Sequence, residues 1–278
     1  MSNHTVHYEV LNNWGDKGFP DRDWEIDVHA SFDELKEFEQ SGYLIREGLF
    51  TGQALERLRN AIDGLEKREY TVPPDPSTSK RSWDHVPRHL MDKDEAFLDL
   101  LKFEPTLSVA RAMMGPLVRL RGLSARISYP NNEIQEMPWH IHLRVFSNPL
   151  PPWFSRPHCI DALIYLDDLT EETGPVAVVP DSHNWLDREP PAQSYEPVEG
   201  EKSICVKAGG VGMIHGNLGH RAMPTRGMKR RMLILSYTPT WMRKTPHGGP
   251  QPEDGLTKQF LEEASPEERM LLGVGGYS

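Results

Sequence analysis

The chain has 278 residues, with 31 basic against 41 acidic side chains and a net charge of −10, a length that fits one large domain or two small ones. That balance excludes a nucleic-acid surface, which needs a basic stripe, and no apolar run approaches the roughly eighteen residues of a membrane span. Two cysteines, Cys159 and Cys205, make no disulfide framework and read as reduced, half-buried thiols.

The opening residues MSNHTVHYEV show neither a basic n-region nor an apolar h-region, so a cytoplasmic location is expected. Residues 1–30 are polar with scattered aromatics and read as a loosely packed arm. Ser31 then stands as an N-cap with Glu34 at the capping-box position, and Gly42 is a plausible stop. Tyr43-Leu44-Ile45 turns into a short strand. Thr51 heads a second helix whose apolar stripe is Leu55, Leu58, Ala61, Ile62 and Leu65. Residues 70–92, rich in Pro, Ser and charge, read as a lid over a site. Helical periodicity returns over 94–114.

After Gly115-Pro116 the texture changes. Short apolar or alternating runs recur at 117–121, 124–129, 138–146, 159–167, 175–180, 203–207, 211–215 and 231–238, separated by turn residues. That spacing predicts an antiparallel sandwich or barrel. Helices first and strands later give an α+β, mainly β chain with helices bracing one sheet. Residues 241–278 read as a C-terminal extension of a single domain covering 1–278. Ser265, Pro266 and Glu268 mark a short terminal helix within it.

The chemistry concentrates in Trp139-His140-Ile141-His142. In a strand, side chains i and i+2 share a face, so two imidazoles would converge as a metal requires. His215 and His220 lie about eighty residues on, followed by Arg230 and Arg231 at the head of an apolar run.

Four segments, in order, resemble the phytanoyl-CoA hydroxylase family of iron(II)/2-oxoglutarate dioxygenases. They are Phe38 to Leu44, Pro138 to His142, Leu166 to Pro175 running on to His183, and His215 to Tyr237. The resemblance spans about residues 32–240. It implies a double-stranded β-helix (a jelly roll, cupin-like) with supporting N-terminal helices. The implied chemistry is an oxygenase using Fe(II), 2-oxoglutarate and O2 to oxidise a small-molecule metabolite. It further implies His140 and His220 as iron ligands, and Arg230, with Arg231 as second choice, as the grip on the cosubstrate's distal carboxylate. Alternation allows only one of the two arginines to face the interior.

The chain departs from this pattern at position 142, where a carboxylate is expected and His stands. A two-His, one-carboxylate site leaves three positions open. Three neutral imidazoles instead leave the centre at +2. His142 is read as a third ligand. It could also turn away, leaving water or a carboxylate such as Glu136 or Asp161 in its place, or the site could bind no iron. A halide-binding vacancy is disfavoured because His fills it. A second departure is Ala222, where relatives often carry a hydroxyl that holds 2-oxoglutarate. Thr225 is the substitute candidate.

Among the remaining histidines, His215 reads as structural and His183 as a turn residue. His85, His89 and His158 read as surface positions in loops. The aromatic and proline-dense stretch 145–154 reads as a substrate wall, with Arg144, Phe146 and Trp153 as substrate contacts and Arg126 as a further anchor. A homodimer is compatible with these readings. Two alternatives stay open: a three-His oxygenase that does without 2-oxoglutarate, and a non-catalytic metabolite-binding jelly roll.

Overall fold

Two antiparallel sheets stack face to face, and helices cover the outer side of the larger one. The structure is a computed structural model describing residues 3–10, 24–69, 84–85, 87–130, 137–189, 191–243 and 255–274. Its elements are β1 (Asn3–Val10), β2 (Trp24–Ser31), α1 (Phe32–Ser41), β3 (Tyr43–Arg46), α2 (Gly52–Glu69), β4 (Asp84–His85), α3 (Glu95–Leu98), α4 (Glu104–Met114), β5 (Val118–Ser128), β6 (Met137–His140), β7 (Ile160–Tyr165), β8 (Val176–Val178), β9 (Lys202–Ile204), β10 (Val211–His215), β11 (His220–Ala222), β12 (Arg230–Pro239), α5 (Leu256–Glu263) and α6 (Pro266–Leu271).

The larger sheet runs β3-β10-β7-β12-β5-β4 and the smaller β6-β11-β8-β9. Period-2 alternation divides each strand of the larger sheet between two cores. Ile160, Ala162 and Ile164 of β7 and Leu233, Leu235 and Tyr237 of β12 join the helix residues Phe38, Leu58, Ile62, Leu65 and Leu107 in the main core. Leu163 and Tyr165 of β7 and Met232 of β12 point the other way. They meet Val176, Val178 and Ile204 of the smaller sheet. This second cluster lies between the two sheets.

Local signals account for several boundaries. Ser31 and Glu34 form the reciprocal capping box, and Gly42 closes α1 at φ +80. Ser265 and Glu268 do the same for α6. The α2 stripe is buried as its spacing requires.

Four expectations need correction. The described parts of the arm form a hairpin, β1 against β2, whose Val10, Ile26 and Val28 cluster with Met270. Alternation in Glu25-Ile26-Asp27-Val28 supplies the one apolar face that pairing needs. The helix over 94–114 is two, because Pro105 starts a new helix at its N-terminus. The runs 117–121 and 124–129 are one strand, interrupted only by a bulge opposite Ser236 and Tyr237. The strand expected over 138–146 ends at His140, and a bend follows. Of the proposed lid, residues 70–83 and 86 lie outside the described residues, as does Glu136.

Candidate metal centre

Three imidazoles meet at the end of the smaller sheet. His140 on β6 and His220 on β11 are direct cross-strand partners, and their ring centroids lie 4.1 Å apart. His142 stands 4.7 Å from His220, edge on, and 5.7 Å from His140. One ligand atom from each lies within 4.8 Å of the others. The alternation of a single strand is not what brings His140 and His142 together, because β6 ends at His140. His142 is beyond the strand, and its place is set by its backbone N–H donating to the Gly216 carbonyl at 2.7 Å.

The orientation of the rings is fixed from behind. His140 Nδ1 lies 2.8 Å from the Pro138 carbonyl and His220 Nδ1 lies 2.8 Å from the Leu218 carbonyl. A carbonyl only accepts, so each Nδ1 carries the proton and each Nε2 keeps its lone pair for a metal. Burial holds all three histidines below their ordinary range, well below it for His142 and His220. The charges of Arg144 and Arg126 push the same way on His140, while the Pro138 carbonyl opposes them. Neutral imidazoles are the form that binds a metal, so the donor set fits a transition-metal dication.

The loop between β10 and β11 is the scaffold for two of the three histidines. The Asn217 backbone N–H donates to His215 Nδ1 at 2.9 Å, its side-chain amide to the Phe154 carbonyl at 2.6 Å, and the Gly219 N–H to Ser182 Oγ at 2.8 Å. His215 and His183 are both buried, and His183 Nε2 donates to the Glu39 carbonyl at 3.0 Å. Both work as braces for this loop. His158 is not a surface residue. It is half-buried, its Nε2 is 3.4 Å from Cys159 Sγ, and burial pulls it down to about 4. Both cysteines are free, but Cys159 is buried and Cys205 exposed.

Arg230 and Arg231 separate by alternation. Arg230 faces inward, fully buried, and donates to Ser128 Oγ at 2.9 Å, its register partner on β5. Gly174, at φ +75, passes so close that an added Cβ would lie 2.8 Å from Arg230 Nη1. A side chain there would meet both a strained backbone and the guanidinium. Arg231 faces α2. Its guanidinium binds Asp167 in a bidentate pair at 2.5 and 3.0 Å and Asp63 at 2.8 Å. The Asp167 hydrogen bonds raise its pKa further.

Tyr165 was not singled out by sequence, since a Tyr in an apolar strand reads as packing. Its hydroxyl is buried without a hydrogen-bond partner among the described residues. Burial keeps it protonated, with the Arg230 charge opposing. A buried donor beside a buried guanidinium is the polarity an organic carboxylate satisfies. The Thr225 hydroxyl donates to the Met228 carbonyl at 2.6 Å, so in this structure it holds the turn leading to β12. Arg144 is exposed, while Phe146 and Trp153 are 38% and 54% exposed. Phe146 lines a groove of ≈ 240 Å³ with Leu150, Leu186 and Arg188, and neither aromatic has a ring contact with the three histidines among the described residues.

Residues 38–233 match the phytanoyl-CoA dioxygenase (PhyH) family. The chain belongs to the PhyH family. Solved structures agree on the fold. HygX from Streptomyces hygroscopicus, crystallised with nickel and 2-oxoglutarate bound, is similar at TM-score 0.64 and 17% identity, over 77% of this chain and 89% of that one. The carbocyclase SnoK from nogalamycin biosynthesis, a non-haem α-ketoglutarate-dependent enzyme, gives TM-score 0.63 and 17% identity over 90% and 94%. The epimerase SnoN from the same biosynthesis gives 0.58 and 18% over 75% and 82%. Among the described residues no helix is long and apolar enough to cross a membrane.

Proposed function

We propose that this PhyH-family protein is an iron(II)- and 2-oxoglutarate-dependent oxygenase acting on a small-molecule metabolite. One observation carries the reading: three neutral imidazoles, His220 buried and His140 and His142 half-buried, converge inside a jelly roll that also buries Arg230. Nε2 of His140, His142 and His220 would hold the iron, and Arg230 the distal carboxylate of the cosubstrate, with the Tyr165 hydroxyl beside it. Iron(II) with 2-oxoglutarate supplies O2 activation. The chain's own work is to orient and to keep dry. Carbonyls 138 and 218 lock two rings, and the second apolar cluster excludes bulk water, so the guanidinium acts at low dielectric. Arg144, with Phe146 and Trp153 farther out on the same loop, would meet the substrate. That combination suits a flat apolar body bearing an acidic group.

Anaerobic reconstitution with iron(II) and 2-oxoglutarate tests this directly. A visible charge-transfer band and uncoupled succinate formation are expected. Neither appearing would defeat the reading.

A second reading has its own observation. Ala222 offers no hydroxyl, and the Thr225 proton goes to Met228, so a cosubstrate would find fewer donors than the resemblance implies. A three-His oxygenase without 2-oxoglutarate would consume O2 with substrate alone.

A further inference from the structure

Three neutral imidazoles around a dication leave two positive charges in a partly buried site, and such charge calls for a counter-charge close by. We propose that Asp161 is a positioning residue of the metal centre, its carboxylate accepting the Nδ1 proton of His142 and lending negative charge one ring behind the metal. The inference rests on the reading that the three imidazoles hold a metal.

Asp161 lies on β7, a strand in which every residue is buried. A carboxylate there is costly unless both oxygens find partners. Ser236, its direct cross-strand partner on β12, donates its hydroxyl to Oδ1. The other oxygen, Oδ2, stands 3.4 Å from His142 Nδ1. That is slightly longer than a formed hydrogen bond. Among the described residues, His142 is the only basic side chain within 4 Å of the Asp161 carboxylate. The competing acceptor is Cys159 Sγ, 3.8 Å from the same nitrogen, and a thiol sulfur accepts weakly beside a carboxylate.

The need is specific to this ligand. His140 and His220 sit on paired strands with carbonyls behind their rings. His142 sits in a bend, tethered through its backbone N–H to Gly216. Its ring is the one whose rear nitrogen faces a charge, so it becomes both the best oriented by that charge and the strongest donor. His142, Cys159 and Asp161 also lie close enough to one another to hold a second cation. The Arg121 guanidinium, 3.8 Å from Cys159 Sγ, opposes a dication there.

Cobalt(II) titration of the full-length apoprotein tests the proposal without turnover, with exchangeable imidazole N–H resonances of the cobalt form read by proton NMR. Wild type should bind one equivalent. Asp161→Asn should weaken binding about 10- to 100-fold and move one N–H resonance, leaving those of the carbonyl-backed rings in place. Asp161→Glu should restore part of the affinity. If Asp161→Asn does not fold, Ser236→Ala, which frees only Oδ1, should show the same single-resonance shift with a smaller loss. Unchanged affinity and spectrum in whichever variant folds would overturn the role of Asp161 while leaving the metal reading intact. Two equivalents in wild type, one lost in Asp161→Asn, would overturn it by making Asp161 a ligand. No binding by wild type would remove the metal reading itself.

Discussion

The two faces of the six-stranded sheet come from the same strands and carry opposite chemistry. On β7 and β12, the face toward the helices is Ile160, Ala162, Ile164, Leu233, Leu235 and Tyr237, all apolar but for one phenol. That phenol, Tyr237, is satisfied by Thr106 at 2.8 Å. The face toward the smaller sheet holds Asp161, Ser236, Arg230 and Tyr165, all buried. Buried polar groups are costly where they lack partners, so a fold that needed only stability would not concentrate them on one face. The outer face makes the molecule stand, and the inner face is where its chemistry would lie.

That division can be tested by mutation. The largest effect should come from His220→Ala. If His220 holds the iron as proposed, its loss should lower iron affinity by more than the roughly 100-fold that loss of a supporting group costs, with turnover lost and folding retained. Metal analysis after reconstitution reads it, and full iron occupancy in the variant would break the comparison. Next comes Leu235→Ala on the helix face. It should cost about 2–5 kcal/mol in denaturant unfolding and leave the metal affinity of the folded fraction unchanged.

The neighbouring arginines sharpen the contrast. Arg230→Ala should raise the 2-oxoglutarate KM by about 10- to 100-fold, the value of a charge-assisted bond at roughly 1.5–3 kcal/mol. Arg231→Ala should instead lower stability by about 1–3 kcal/mol, leaving the Asp167 and Asp63 carboxylates facing each other, with KM unmoved. The reverse pattern would mean that the faces have been assigned the wrong way round.

The smallest effect concerns pH and lies on the helix side. Burial alone would raise Glu267, but hydrogen bonds from Lys102 and Arg111 outweigh it and hold the carboxyl below its ordinary 4.5. A depressed carboxyl stabilises the fold above the unfolded value and loses that contribution as pH falls through the folded one. Glu267→Gln should therefore flatten the acid limb of the stability curve below about pH 4.5 by no more than about 1 kcal/mol. It should leave metal binding at neutral pH untouched.

Much of this was legible in the residues. The capping boxes at Ser31 and Ser265, the α2 stripe and the antiparallel texture after Gly115 are local signals, each set by a few neighbouring side chains. The grouping of the imidazoles at 140, 142 and 220 was legible too, and the structure brings the three together. The resemblance gave the choice between Arg230 and Arg231, and alternation gave the reason that only one could serve. The arm was misread because a hairpin's stability lies in pairing, and each half alone is only a polar strand.

What the sequence by itself determined is the list of groups: three imidazoles, an arginine pair and an apolar alternation able to make two sheets. Which side each group faces was decided only by the tertiary structure. Strand register places Ser236 opposite Asp161 and Ser128 opposite Arg230, and the β10–β11 loop carries His142 into a bend beside His220. These meetings join residues about 75 to 100 positions apart, and no local pattern encodes a contact whose geometry depends on how far every intervening strand has slid.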